Sequence, residues 1–255
     1  MNIVVCCKPV PGLVTDLKIT GDGKAIQYQG QLLAINECDE YALEEALVLK
    51  RARGSQITAV SMGNIKALDI LYYALAKGAD KAVRIDCESQ DPRIASAVIA
   101  AALRKLDFDL VLTGTQSRDT LGAQVGIAAA NLLEIPFAYA VVDVEAHENN
   151  AIKVRKEMGG GRYAKVELML PALLCIQTGI QALTFVPPAR RIRARQQPVA
   201  SFSVADLGLQ PEELVSRGYR FVGVRPPERI HQVELLQGSP QQIATTLVNK
   251  IRESL

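Results

Sequence analysis

The run DLVLTGTQSRDTLGAQVG (residues 109–126) joins an aliphatic segment to a polar loop with three glycines, Gly114, Gly122 and Gly126, and continues into IAAANLL. A short segment that is apolar at successive positions fits a strand buried on both faces. The alanine- and leucine-rich segment beyond predicts a helix over about residues 121–133. The loop between them contains no lysine and no histidine, but it has three threonines, two glutamines and an Arg-Asp pair. Strand, loop and helix in this order form one half of a βαβ unit.

Upstream, the same unit recurs. Residues 2–7 (NIVVCC) read as a central strand, and residues 8–35 as a loop with Pro9, Pro11, Gly12 and the turn signal GDG. A helix is predicted over residues 39–53, with Asp39 as its cap, acidic residues in its first turns and Gly54 just past its end. Glu44 and Glu45, in mid-helix, read as a solvated face. Residues 56–61 (QITAVS) form the next strand, and Met62-Gly63 leads into a helix that stops at Gly78. Residues 81–85 are a third strand, and Asp91-Pro92 opens a helix to about Leu106 with proline at its first position. This alternation predicts an α/β fold with a doubly wound, mainly parallel sheet.

Downstream of Pro136 the pattern changes. Residues 140–146, 151–157 and 163–170 alternate apolar and polar, which predicts an antiparallel meander at a sheet edge. Residues 172–177 read as one more core strand. From Gln181 the βα rhythm stops, and a basic run, RRIRAR, covers residues 190–195. An amphipathic helix over residues 241–251 ends an extended C-terminal arm. The expected division is a nucleotide-binding α/β domain over 1–180 and a docking loop plus arm over 181–255.

Composition narrows the function. A net charge of +2 is too small to indicate a nucleic-acid binder. With no tryptophan, a stacking platform for single strands is not expected. No segment has the features of a signal peptide, and no apolar window reaches the roughly 20 residues that span a bilayer. The five cysteines form no CxxC pair, so they are expected to be reduced thiols in a cytoplasmic protein. His147 and His231 lie away from the strand ends, and no nucleophile elbow or HExxH is present. The chain is expected not to be an enzyme with its own turnover.

In an open α/β sheet, ligands sit beyond the carboxyl ends of the strands, where strand order reverses. Four segments should gather there: residues 6–8, residues 36–39, Met62-Gly63 and the loop after residue 113. Backbone N–H groups at a helix start bind phosphate without a lysine. Gly122 and Gly126 allow close backbone approach, Thr120 and Gln124 are candidate donors to phosphate oxygens, and Asn36 is a candidate for ribose or the adenine edge. Asp119 is a candidate helix cap or a partner for a ligand hydroxyl. The loop is neither GxGxxG nor GxxxxGK[ST], and the alternative is a plain tight helix start.

Taken in order, VVCCKPV, NECDEYALEEALVLK, AVSMG, LAKGADKAVRI, DLVLTGTQSRDTLGAQVG, LPALLCIQTGI and FSVADLGL resemble the small (beta) subunit of electron-transfer flavoprotein over nearly the whole chain. The resemblance implies a heterodimer with an alpha subunit that holds most of a redox FAD. It also implies a structural AMP in this chain or, in electron-bifurcating members, a second FAD. Carried over by position, the nucleotide contacts are Cys6, Asn36, Glu37, Cys38, Asp39, Met62, Asp119, Thr120, Gly122, Gln124, Val125 and Gly126, with the helix beyond to Ala130. Leu13 falls where the family's beta subunit approaches the alpha subunit's flavin. The implied role is to carry electrons from acyl-CoA-type dehydrogenases to a membrane quinone-linked oxidoreductase.

Two departures qualify this. Bifurcating members carry a loop like DGDTAQVGP where this chain has RDTLGAQVGI, which favours AMP. The family's NxPRY-like segment is replaced by QALTFVPP at residues 181–188, so dehydrogenase docking through residues 183–191 is expected without its usual motif. An ATP-using enzyme on this scaffold would need an SGGxDS-type loop after the first strand, which Lys8-Pro9-Val10-Pro11 is not. A nucleotide sensor without redox partners is the other alternative.

Overall fold

The computed structural model describes residues 1–12, 18–23, 26–27, 33–146, 150–215, 222–226 and 233–254. The described chain runs β1 (Asn2–Cys6), β2 (Pro9–Pro11), β3 (Lys18–Ile19), β4 (Ile26–Gln27), β5 (Leu33–Ile35), α1 (Glu37–Arg53), β6 (Gln56–Met62), α2 (Ala67–Lys77), β7 (Lys81–Asp86), α3 (Pro92–Leu103), β8 (Leu110–Gly114) and α4 (Val125–Leu133). It continues with β9 (Phe137–Ala146), β10 (Ala151–Glu157), β11 (Tyr163–Met169), β12 (Ala172–Ile176), α5 (Pro188–Ala194), β13 (Ala200–Ser203), a 3-10 turn at Pro211–Leu214 and α6 (Pro240–Glu253).

Nine strands form one sheet in the order β11-β10-β9-β12-β8-β1-β6-β7-β13. β1 lies between β8 and β6 and is parallel to both. The chain moves outward from β1 through β6 and β7, then crosses to the other side of β1 to lay down β8. Strand order therefore reverses beside β1, as the βα rhythm predicts. The expected meander is present: β9, β10 and β11 are antiparallel at one edge. β12 slots between β8 and β9, parallel to both.

Period-2 alternation makes the sheet a wall between two cores. Ile3, Val5, Leu110, Leu112, Leu174 and Ile176 belong to one cluster, with Leu43 and Leu47 of α1 and Leu71 of α2. Val4, Val111, Leu173 and Cys175 belong to the other, with Val98 and Leu103 of α3 and Ala129 and Ala130 of α4. Both faces of the central strands are covered, which is why these strands read as uninterrupted apolar runs.

Several boundaries differ from expectation. Residues 8–35 are not all loop: β2 and β5 pair antiparallel, with Val10 fully buried. Their length and two prolines hid them, as suits a short two-stranded ladder. α4 starts at Val125, because Leu121 and Ala123 hold left-handed backbone (φ 52° and 51°) that cannot continue a helix. α3 ends at Leu103, three residues short of the expectation. Past residue 180 the chain returns to the sheet: β13 pairs with β7, and α5 packs on α2.

One compact unit comprises Met1–Lys18 and Gln27–Phe221; a second comprises Ile19–Ile26 and Val222–Leu255. The second contains α6, whose start has a full capping box between Ser239 and Gln242. Its Leu247, Val248 and Ile251 are exposed.

Candidate functional site

A cleft of 880 Å³ opens in the first unit beyond the carboxyl ends of β1, β6, β7 and β8. Its walls come from residues 6–9, from Asn36 and Asp39 at the start of α1, and from Met62, Gly63, Asn64, Lys66 and Ala67. They are completed by residues 87–93 before α3 and by the loop into α4. The volume suits a nucleotide-sized ligand.

The first turns of the helices around the cleft differ in charge. α1 carries Glu37, Asp39 and Glu40 there, α2 carries Asp69, and α3 is capped by Asp91, whose carboxylate accepts from Arg93 N at 2.9 Å. α4 has no acidic residue in its first turn and no side-chain cap. Its leading N–H groups are therefore the ones that favour an anion. Gln124, Val125 and Gly126 line the cleft at this start.

The loop into α4 is held from behind. The side chain of the buried Asn36 donates to Gln116 O (2.8 Å) and accepts from Arg118 N (3.1 Å). The Asp39 carboxylate accepts from Lys8 N and Gly114 N, each at 2.8 Å, and so ties the ends of β1 and β8 to α1. Burial raises the Asp39 carboxyl to about 6, opposed by these bonds and by the Lys8 charge. The Lys8 ammonium lies across the loop. It donates to Asp119 (2.8 Å), Ser117 (3.1 Å) and Thr120 (3.5 Å).

Two glycines make the packing possible. A Cβ at Gly114 would fall 2.6 Å from Cys38 Cβ and 2.9 Å from Asp39 N, so only glycine lets β8 approach α1 this closely. A Cβ at Gly126 would fall 2.6 Å from Thr113 Oγ1 and 2.8 Å from Cys175 Sγ. Gly126 therefore seats α4 on the sheet. Gly122, with nothing within 4 Å of its would-be Cβ, faces open space in the cleft wall.

A sequence model described as "Electron transfer flavoprotein domain" matches residues 25–207. The chain belongs to this family. It is 32% identical over 256 residues to "Electron transfer flavoprotein subunit beta" of Bacillus subtilis, covering 99% of this chain and 98% of that one. It is 32% identical over 221 residues to the protein of the same description from Methylophilus methylotrophus, covering 84% and 83%. It is 31% identical over 261 residues to "Caffeyl-CoA reductase-Etf complex subunit CarD" of Acetobacterium woodii, covering 99% and 98%.

In this electron transfer flavoprotein chain the cleft brings together Cys6, Asn36, Asp39, Met62, Asp119, Thr120, Gly122, Gln124, Val125 and Gly126. Glu37 is exposed and outside the lining, and Cys38 is buried behind it against the Thr115 hydroxyl. Leu13 lies outside the described residues, as do His147 and His231. Two expected caps are not caps, and one wall residue is fixed by the loop itself. The Asn36 amide holds the loop backbone at Gln116 and Arg118 and also supports the Asp39 carboxylate, which shapes the wall. Asp39 is a tie between strands and not a cap. Asp119 pairs with Lys8 and caps nothing. Cys6 lines the cleft as a thiol held protonated, pushed to about 12 chiefly by burial and then by Asp39 and Cys175.

Sequence reasoning overlooked the wall at residues 87–93. The signal was available, since these residues follow β7 and its carboxyl end lies at the same edge as that of β6. Glu44 and Glu45 correct the reading more sharply: both are 1% exposed rather than a solvated face. Among the described residues, no helix is long and apolar enough to cross a membrane, and no three metal-ligating side chains cluster.

Proposed function

We propose that this chain is the beta subunit of a heterodimeric electron-transfer flavoprotein in the cytoplasm, and that its cleft holds AMP as a structural group. One observation carries the reading: α4 opens into the cleft uncapped and without a first-turn acid, while its neighbours α1, α2 and α3 present carboxylates in their first turns or caps. The N–H groups of Val125 and Gly126 and the Thr120 hydroxyl would bind the phosphate, with Lys8 adding positive charge beside it. The Asp119 carboxylate on this loop is paired with Lys8, and burial keeps the Cys6 thiol protonated. That suits a group that is held and not turned over.

FAD, held mainly by an alpha subunit, supplies the electron-carrying chemistry. This chain contributes surfaces. Residues 183–191 dock an acyl-CoA-type dehydrogenase: Leu183 is 41% and Phe185 77% exposed beside Arg190 and Arg191. The apolar stripe of α6 contributes to the alpha-subunit interface, since Leu247, Val248 and Ile251 are exposed side chains of one helix face. A membrane quinone-linked oxidoreductase is the acceptor. The test is reduction of the heterodimer's flavin by an acyl-CoA dehydrogenase and its substrate in stopped flow. Bleaching at a rate saturable in dehydrogenase supports the carrier role, and a flavin that stays oxidised overturns it.

A second reading has specific support. The cleft extends past α4 along residues 87–93, and CarD, a relative over almost the full chain, belongs to a reductase-Etf complex. In that reading the cleft holds a second FAD.

A further inference from the structure

Lys77, at the end of α2, has no exposed side-chain surface. Its ammonium lies 2.9 Å from Glu40 Oε1 and 3.1 Å from Glu44 Oε2 of α1. An ammonium removed from water needs such partners. The second function of this cluster lies on its other side. The Glu44 carboxylate also accepts from Thr184 N (3.0 Å) and Thr184 Oγ1 (2.6 Å), and Glu45 Oε2 accepts from Gln181 Nε2 (2.9 Å). Tyr73 of α2 donates to Glu40, and the Arg191 guanidinium sits 4.9 Å from the Tyr73 ring centre.

The segment over residues 181–191 has no regular structure before α5 begins at Pro188, so its course is not set by its own backbone bonds. It is set by acceptors on α1 and by Val186, which is buried in the core beside that helix. Thr184, the residue that Glu44 grips by both backbone and side chain, stands between Leu183 and Phe185, whose side chains point to solvent. A carboxylate with two donors on one residue fixes position and orientation together.

We infer that Glu44 is a positioning residue for partner docking, with Lys77 holding its carboxylate in place and Glu45 fixing the start of the same segment. The inference rests on the reading that residues 183–191 dock the dehydrogenase. Glu44 touches neither cleft nor partner; it presents Leu183 and Phe185 in a single arrangement, so the partner need not order a loose loop on binding. α1 thus serves two tasks: Asn36 and Asp39 at its start shape the cleft, and Glu44 and Glu45 in its middle present the docking segment.

The test uses the complete heterodimer with E44Q, T184V and F185A, read by KM and kcat for electron acceptance from an acyl-CoA dehydrogenase, by nucleotide content, and by hydrogen exchange at the Thr184 amide. E44Q is expected to raise KM about tenfold and T184V about threefold, in line with loss of hydrogen bonds to a charged group. kcat and nucleotide content should hold, and the Thr184 amide should exchange faster in E44Q. F185A tests the underlying reading. If F185A raises KM while E44Q and T184V leave it unchanged, the positioning role is wrong and docking stands. If F185A also leaves KM unchanged, both fall. Should E44Q not assemble, T184V decides, because it keeps shape and removes only the hydroxyl bond; an unchanged KM then overturns the inference.

Discussion

Alanine at Gly126 and alanine at Gly122 should behave in opposite ways, although both glycines line the cleft. At Gly126 the new Cβ would fall 2.6 Å from Thr113 Oγ1 and 2.8 Å from Cys175 Sγ, about 0.7 Å inside ordinary contact, against two buried side chains. α4 must back away from the sheet. Overpacking of this kind costs about 1–3 kcal/mol. Alanine's better helix propensity returns about 1 kcal/mol. The balance is a net loss of up to about 2 kcal/mol, and each kcal/mol lowers the melting temperature of a chain this size by about 2–4 °C. At Gly122 nothing lies within 4 Å of the new Cβ, so stability should stay within about 0.5 kcal/mol. There the methyl projects into ligand space, and AMP affinity should fall about tenfold for lost close approach. Melting of nucleotide-stripped heterodimer and rebinding of AMP separate the two effects. G126A melting like the wild type would refute the seating of α4 against β8 and β12. G122A binding AMP like the wild type would refute the loop as a wall of the nucleotide site.

The Asp39 carboxyl, raised from its ordinary 3.8 to about 6, should titrate near pH 6 in a carboxyl-carbon NMR experiment; a midpoint near 4 would refute its burial between β1, β8 and α1. Between these two values the folded chain holds a proton that the unfolded chain lacks. The contribution of Asp39 is thus full below pH 4 and is lost as pH rises through 6, about 3 kcal/mol in all. Glu44 acts in the opposite sense. Burial pushes its carboxyl up, but the Thr184 bonds and Lys77 outweigh burial and hold it below its ordinary value, so its contribution is lost as pH falls. K77M leaves Glu44 and part of Glu40 without their cation and should cost about 3–5 kcal/mol in urea unfolding, with most of it recovered in K77M/E44Q. Equal losses in single and double variants would refute the pairing. K8M should weaken AMP rebinding about fivefold, since an exposed ammonium near a phosphate is worth about 1 kcal/mol, and change stability little because its pair with Asp119 is exposed. Unchanged rebinding would remove Lys8 from the phosphate site.

The central sheet was legible because burial on both faces leaves a mark in one dimension. Val4 and Val111 face one core, and Ile3 and Leu112 the other, so the strands read as apolar runs between turn signals. The site was legible at coarse grain for a topological reason: once strand order reverses beside β1, the loops that follow the central strands must converge. What the individual polar residues do was not legible. Asn36, Asp39 and Asp119 are loop or helix-start residues with several possible partners, and only packing decides that Asn36 takes Gln116 and Arg118 and that Asp119 takes Lys8. Glu44 and Glu45 misled for a related reason. Two glutamates in mid-helix normally mark a wet face, and their partners, Lys77, Thr184 and Gln181, lie far along the chain. α5 and β13 were missed because both are short: α5 is seven residues of mostly exposed, basic sequence, and β13 is an edge strand whose alternation, ASFS, lasts only four residues.

The claim on which the rest depends is that this chain's cleft holds an adenine nucleotide that does no chemistry. The direct measurement is to co-express the chain with its alpha subunit, purify the heterodimer, denature it and quantify the released nucleotides by chromatography. One AMP and one FAD per heterodimer is the predicted result. Two FAD and no AMP would turn the cleft into a second flavin site, and one FAD with no AMP would contradict the cradle at the start of α4 altogether.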